Sequence, residues 1–313
     1  MKLAIAFLVY KKSSYPYLPK FLTSLKEASD FLNSHNCQIM VGDNSGEDNS
    51  NRKFFQEKNE LGGKKIEYLD FSENLGFSRA YNILIKKAKA QNFSHFLMLN
   101  PDILIDKQAI KNLLKEVENT PNVAALAPKI LVWDFKNKKL KNKIDSCGIV
   151  LKPGLRFEDL GQGETDQGFY DNYEILGPTG AVALFNLNQL EKVKEKENYF
   201  DENFFMYKED CDLAYRLSLN NLETKLVANS IFYHDRSVSG GSLIERFKKR
   251  KKRSKKERAW SFFGQHYLFI KHWHRQNFLN KIIVIYNIIK IFVFSLFFEQ
   301  FLLKQYLLLT KKR

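Results

Sequence analysis

Four short polar stretches and one histidine hold the side chains best placed to do chemistry in this 313-residue chain. Asp43-Asn44-Ser45, Glu73-Asn74 and Asn100-Pro101-Asp102 each follow an apolar or β-prone run, and Glu209-Asp210-Cys211-Asp212 follows Phe204-Phe205-Met206-Tyr207-Lys208. Adjacent carboxylates beside aromatic rings are a setting in which desolvation raises a carboxyl pKa towards that of a working general base. Acids in a helical first turn also complement the helix dipole, so spacing leaves both readings of Glu209 and Asp210 open. His234 ends the apolar run 230–233 and precedes Asp235-Arg236 and the stretch 237–241. A lone histidine is more often structural, but one beside Asp102, completed by two phosphate oxygens, would make a Mg²⁺ or Mn²⁺ site.

The elements that must position these groups follow from hydrophobic periodicity. Residues 3–10, 37–42, 66–69 and 95–99 read as buried strands, and 17–33, 77–90 and 107–118 as helices. This alternation predicts an α/β fold with a mostly parallel central sheet flanked by helices. In open sheets of that kind ligands bind beyond the carboxyl ends of the strands, where the first three polar clusters fall. Each cluster alone is explained by a turn, a helix cap or a loop opening; their shared placement is the signal. Between 123 and 185 the pattern turns irregular, with short strands and loops. Residues 181–185 read as a further buried strand, and the loop before it, Gly177-Pro178-Thr179-Gly180, can approach a ligand closely because glycine has no Cβ.

Hydrophobic content of 44% with 14% aromatic residues excludes a mostly disordered chain. The net charge of +15 is local in origin: residues 246–258 hold ten Lys or Arg against one Glu. Such a block suits nucleic acid, anionic lipid or a solvated arm. The segment C-terminal to it favours the lipid. Residues 282–298 are apolar except for Asn287, Lys290 and Ser295, and these with Glu299 lie within about half of a helix circumference. A spanning helix would bury Lys290 and Glu299, so the expectation is a helix lying in the interface, with the basic block, Trp260, Tyr267 and Trp273 gripping an anionic membrane surface. The alternative is a helix packed on the catalytic part or on a second subunit. The chain is thus divided into 1–243 and a membrane-associating helical extension, 244–313. Three cysteines without a C-x-x-C pair suit a reducing compartment. The N-terminal MKLAIAFLVYKK reads as a first strand and not as a signal peptide, and His266, His272 and His274 are spaced wrongly for a helical zinc site.

In order and spacing, GDNSG (42–46), ENLGFSRAYN (73–82), LNPD (99–102), DSCG (145–148), GPTGA (177–181), FFMYKEDCDLAYR (204–216) and HDRSVSGG (234–241) resemble the inverting glycosyltransferases of family 2. The likeness is to their rhamnosyltransferase-like bacterial branch in particular. It implies a GT-A fold. It also implies Asp43 on the nucleotide base and Asn74 and Arg79 near the diphosphate, with Asn44, Gly76, Asn100 and Gly180 among the nucleotide-sugar contacts. Asp102 then matches the last acid of the metal-binding D-x-D element, His234 a position that completes the Mg²⁺ or Mn²⁺ site, Asp210 the catalytic base and Glu209 its neighbour. Two departures stand out: Val9-Tyr10-Lys11 ends the first strand where Thr-Tyr-Asn or Ser-Tyr-Asn is common, and Asn100 replaces the first acid of D-x-D. The implied enzyme moves rhamnose or a similar hexose from a nucleotide-diphosphate donor to a saccharide, possibly polyprenyl-diphosphate-linked, in cell-surface polysaccharide assembly, at the cytoplasmic face of the membrane. Competing readings are a UDP-hexose or UDP-galactofuranose donor, an inactive saccharide-binding relative, and a nucleic-acid-binding protein; nucleic acid is not the expected partner.

Overall fold

A computed structural model describes residues 1–32, 36–235, 250–251 and 253–310. Arg236 to Gly241, the boundary expected at 243/244 and much of the basic block therefore lie outside the described residues. The strands are β1 (Leu3–Val9), β2 (Cys37–Asp43), β3 (Glu60–Leu61), β4 (Lys64–Asp70), β5 (His95–Leu99), β6 (Ile103–Ile105), β7 (Ala125–Asp134), β8 (Lys139–Ser146), β9 (Ile149–Lys152), β10 (Arg156–Asp159), β11 (Val182–Asn186) and β12 (Thr224–His234). The α-helices are α1 (Leu18–Ser29), α2 (Ser50–Glu57), α3 (Gly76–Ala90), α4 (Ala109–Asn119), α5 (Leu187–Leu190), α6 (Glu209–Leu219), α7 (Lys255–His272), α8 (Phe278–Phe298) and α9 (Gln305–Leu309).

One large sheet runs in the order β3-β4-β2-β1-β5-β11-β7-β12-β6, with β8 beside β7. β4, β2, β1 and β5 are mutually parallel, β11 runs antiparallel to β5 and β7, and β7 and β12 again point with the first four. The near-continuous apolar run of β1 follows from burial on both faces. Leu3, Ile5, Phe7 and Val9 meet α1 and α4 on one side. Ala4 and Ala6 meet Tyr81, Leu84 and Ile85 of α3 and Leu213 and Leu217 of α6 on the other.

Two features were not foreseen. The helix α2 has a sparse apolar pattern, with Asn51 and Phe55 as its buried residues, so it carries little periodicity. The three-residue β6 is too short to announce itself, yet it pairs antiparallel with the end of β12 and sets Ile103 opposite His234. The break at Asn100-Pro101-Asp102 is thus the turn between β5 and β6.

The C-terminal helices share a core with the rest of the chain. Ile149 and Phe157 of the β9–β10 hairpin and Tyr215 of α6 pack in one cluster with Leu268 of α7 and Val284 of α8. Helix α8 is long and apolar enough to cross a membrane by length and composition, with a mean hydropathy of 2.1. One face packs on the rest of the chain, as the alternative sequence reading expected. Val284, Asn287 and Ser295 face the protein, and the Asn287 amide donates to the Gly154 carbonyl at 3.2 Å. Phe278, Leu279, Tyr286, Phe297 and Phe298 stand in the open. This is the reverse of a soluble amphipathic helix, whose polar face is the outer one.

Helix α6 is locked to α7 by buried charge. Fully buried Asp212 accepts from Arg216 Nε at 2.8 Å, lies 2.9 Å from Lys271 Nζ and meets His272 Nε2 at 2.8 Å. Burial opposes its ionisation, but His272, Arg216 and Lys271 overcome this and hold the carboxyl well below the usual range. Asp212→Ala should cost about 3–5 kcal/mol in a urea titration, because removing one partner strands buried cations. With its folded pKa depressed, Asp212 stabilises the fold above the ordinary carboxylate pKa. In wild type that contribution should disappear as the pH falls below about 4, while the variant should lack this component of the acid slope.

Candidate active site

A cavity of about 720 Å³ opens where β1, β5 and β12 end, and it gathers side chains from widely separated segments. Asp102 and His234 stand together on its wall, with 3.4 Å between the carboxylate and Nε2. The backbone fixes them twice, through the β6–β12 pairing and through the Asp235 N–H, which donates to the Asp102 carbonyl at 3.0 Å. On its other side the His234 Nδ1 lies 2.8 Å from buried Asp145. Burial disfavours a charged imidazole, but the two carboxylates outweigh it and lift His234 to about 10. A divalent cation bridging Asp102 and His234 Nε2 would have to displace the proton that the two carboxylates favour there, so metal and proton compete for this position.

The acids Glu209 and Asp210 open α6, as the dipole argument expected, and both also line the cavity. Asp210 Oδ2 accepts the Gly180 N–H at 2.9 Å and Oδ1 accepts the Cys211 N–H at 2.8 Å, so two amides aim the carboxylate. Glu209 is buried, and its Oε2 has no hydrogen-bond partner among the described residues. Burial, and then the Asp210 charge, push it well above the usual carboxylate range. Burial thus favours the protonated form of Glu209.

The chain reaches these acids through a constrained turn. Tyr207 and Lys208 both adopt left-handed backbone, with φ of 72° and 77°. The Phe205 carbonyl accepts the Phe77 N–H at 2.7 Å, directly over Gly76, where an added Cβ would lie 2.3 Å from that oxygen. On the far side a Cβ on Gly264 of α7 would lie 2.7 Å from the Tyr207 carbonyl.

The nucleotide-site expectations divide. Asn44, Asn74, Asn100 and Gly180 line the cavity. Asn44 also braces the entry to α3, accepting from Leu75 N at 3.1 Å and donating to the Gly76 carbonyl at 3.0 Å. Gly76 acts through its missing Cβ, which admits the Phe205 carbonyl. Asp43 is buried behind the cavity, accepting from Ser45 N at 2.8 Å and from the Tyr68 hydroxyl. Arg79 stands on the exposed side of α3, 3.6 Å from Glu73, and is outside the cavity lining.

Sequence reasoning missed the contribution of the extension. Arg253, Lys256, Glu257 and Trp260 line the same cavity, and the Trp260 ring packs 4.7 Å from that of Phe205. The available signal was Ser254-x-x-Glu257 inside the basic run. It forms a capping box, with Glu257 N donating to Ser254 Oγ and Ser254 N donating to Glu257, and so starts a helix within what reads as a charged tract. Asp145, which holds His234, was quoted only as part of a motif. A second acidic group, Glu195, Asp201 and Asp212, has ligand-like spacing, but the Lys271 ammonium sits among all three.

With this geometry in place, the chain was compared with known proteins. Residues 5–193 match the profile of glycosyl transferase family 2. The chain belongs to that family. A curated relative of this family 2 chain, the low-salt glycan biosynthesis hexosyltransferase Agl10 of Haloferax volcanii, is 26% identical over 159 residues. The match covers 50% of this chain, and it spans about half (48%) of the relative. Among solved structures, GalNAc-T7 with UDP, GalNAc and Mn²⁺ superposes with a TM-score of 0.60 at 9% identity, covering 86% of this chain and 47% of that one. The mannosyltransferase PcManGT from Pyrobaculum calidifontis, with GDP-Man and Mn²⁺, gives 0.51 at 11% identity, covering 98% and 86%. These likenesses establish the GT-A fold.

Gly264→Ala tests whether the extension sets the catalytic turn. A methyl group there displaces the Tyr207 carbonyl and the acids after it; since misplacement by about 1 Å can cost about 10²-fold in rate, turnover should fall by about that factor. Donor affinity, measured by calorimetry, should change far less.

Proposed function

We propose that this chain is an inverting glycosyltransferase that moves rhamnose or a similar hexose from a nucleotide-diphosphate donor to a saccharide acceptor carried on a polyprenyl diphosphate, at the cytoplasmic face of a membrane. The observation that carries the reading is one cavity with two chemically distinct ends: an acid–imidazole pair at Asp102 and His234, and a backbone-aimed carboxylate at Asp210. The first end suits a cation-bound diphosphate. The second suits a base.

In this reading Asp210 accepts the proton of an acceptor hydroxyl while that oxygen forms a bond to the anomeric carbon. The bond from that carbon to the donor phosphate oxygen breaks, and the nucleoside diphosphate leaves with the electron pair. One displacement inverts the anomeric centre. Asp102 and His234 would hold Mg²⁺ or Mn²⁺, which when bound supplies positive charge to the departing diphosphate. Burial favours the protonated form of Glu209, which in this reading limits the negative charge in the cavity. Arg253 and Lys256 add positive charge to the same cavity. The nucleotides in the solved relatives, UDP in one and GDP-Man in another, support a nucleotide-diphosphate donor; UDP-hexose or UDP-galactofuranose are the alternative donors for this chain.

Membrane association is supported by the outward apolar face of α8. The basic block speaks less for a nucleic-acid surface once its contacts are traced. Arg250 and Arg258 both bind buried Glu299, while Arg253 and Lys256 face the cavity.

Asp210→Asn should lower turnover by about 10²–10⁴-fold, the usual contribution of a positioned base, with donor-induced thermal stabilisation unchanged. Glu209→Gln, which preserves the neutral form, should stay within about tenfold of wild type in the same assay. A rate for Asp210→Asn equal to wild type would sink the mechanism. Asp102→Ala should abolish the Mg²⁺- or Mn²⁺-dependent part of the donor's thermal shift; a panel of dTDP-rhamnose, UDP-glucose, UDP-galactose and UDP-galactofuranose in that assay names the donor.

A further inference from the structure

Next to the catalytic cavity a second one, of about 500 Å³, opens between β10, α7 and α8. The two share Phe157, Glu158, Lys208 and Ser261, so they are neighbouring compartments with a common wall. Lys208 is also the residue that leads into Glu209 and Asp210. A group seated in the second cavity therefore lies immediately beside the acids of the first.

The second cavity has a charged part and an apolar part. Among the described residues, Arg156, Lys208, Arg250 and Lys290 line it, against Glu158 as the single lining carboxylate. Arg156 approaches Glu158 at 3.5 Å, and Arg250 shares Glu299 with Arg258, so three arginines answer two carboxylates and Lys290 adds to a wall that is positive. His266 adds no charge here: burial lowers its pKa, its Nδ1 lies 2.9 Å from the Phe262 carbonyl and its Nε2 lies 3.0 Å from the Tyr306 hydroxyl. Ile291 and Phe294 of α8 supply apolar lining, and the same helix continues outward into the exposed Ile289, Val293 and Phe297. A ligand matched to this surface has an anionic head of phosphate type and a long apolar tail.

We infer that this second cavity is the acceptor's phosphate site: it holds the phosphate or diphosphate of a lipid-carried saccharide, whose tail leaves along the outer face of α8 and whose sugar passes Lys208 to reach Asp210. The inference rests on the reading of Asp210 as the base that receives the acceptor. A donor diphosphate has its own place near Asp102 and His234, and a free phosphate would make no use of the apolar strip. Because the shared wall includes the residue just before the catalytic acids, the sugar close to the phosphate is the one presented, which fits an early step in building a lipid-linked chain.

The test uses the full-length protein and farnesyl diphosphate as probe, with inorganic pyrophosphate and farnesol as its two halves, measured by calorimetry in the presence and absence of UDP. Farnesyl diphosphate should bind more tightly than either half, and saturating UDP should leave that binding in place. The paired variant Arg156→Glu/Lys290→Glu should weaken it by about tenfold or more, the loss expected for charge-assisted contacts, with thermal unfolding showing that the variant is folded. Should it fail to fold, Arg156→Gln/Lys290→Gln replaces it, and the same loss is required. Pyrophosphate binding as tightly as the whole probe would make this a free-phosphate site, and farnesol binding as tightly would remove the cations from the account; either overturns the inference. So would an unchanged affinity in the variants, no binding at all, or competition by UDP. Asp210→Asn should bind the probe as wild type does. If that variant still transfers sugar at the wild-type rate, the role of Asp210 as base fails while probe binding stands or falls separately.

Discussion

The arrangement turns on the short backbone stretch between Phe205 and Lys208, which is held from both sides by contacts that only glycine permits. Gly76 lets the Phe205 carbonyl reach the first amides of α3, and Gly264 lets α7 close against the Tyr207 carbonyl. Between these two clamps the chain takes two consecutive left-handed residues and then enters α6 with Glu209 and Asp210 in its first turn. Backbone of this kind persists only where its surroundings over-determine it. The surroundings here are α3 on one side and α7 on the other, so the position of Asp210 depends on both.

A comparable dependence governs the other end of the cavity. Asp102 lies in the turn just before β6 and His234 ends β12, two segments far apart in sequence that the three-residue β6 joins by pairing onto β12. Asp145 then fixes the imidazole from behind across a separation of 89 residues. A histidine between two carboxylates has its ring orientation set before any ligand arrives, which lowers the reorganisation needed to bind one.

Helix α8 is turned inside out relative to a soluble amphipathic helix. Its asparagine and serine face protein, where Gly154 has no Cβ to keep Asn287 away, while aromatic and aliphatic side chains face out. Buried Glu299 at its end draws in Arg250 and Arg258 from the basic run. A single element thereby connects an apolar outer surface, a cationic cavity and the wall of the active site.

The sequence by itself determined the layers and the candidate chemistry. Short apolar or β-prone runs located β1, β2, β4 and β5, and acids placed just past such runs marked the sheet edge where ligands of open α/β sheets bind. These features are local, so they survive in one dimension. Local pattern could not distinguish Asp43, which turned inward to Ser45 and Tyr68, from Asn44 beside it, which lines the cavity. Nor could it show that one run of lysines and arginines supplies both ion pairs with Glu299 and part of the cavity wall. Those outcomes depend on which distant backbone comes within a few ångströms, and that is decided by strand pairing, by glycines at two close approaches and by the packing of α7 and α8 on the sheet. Tertiary structure alone brought Asp102 to His234 and the extension to Asp210, because charge and hydrogen-bond partners are selected in space and not along the chain.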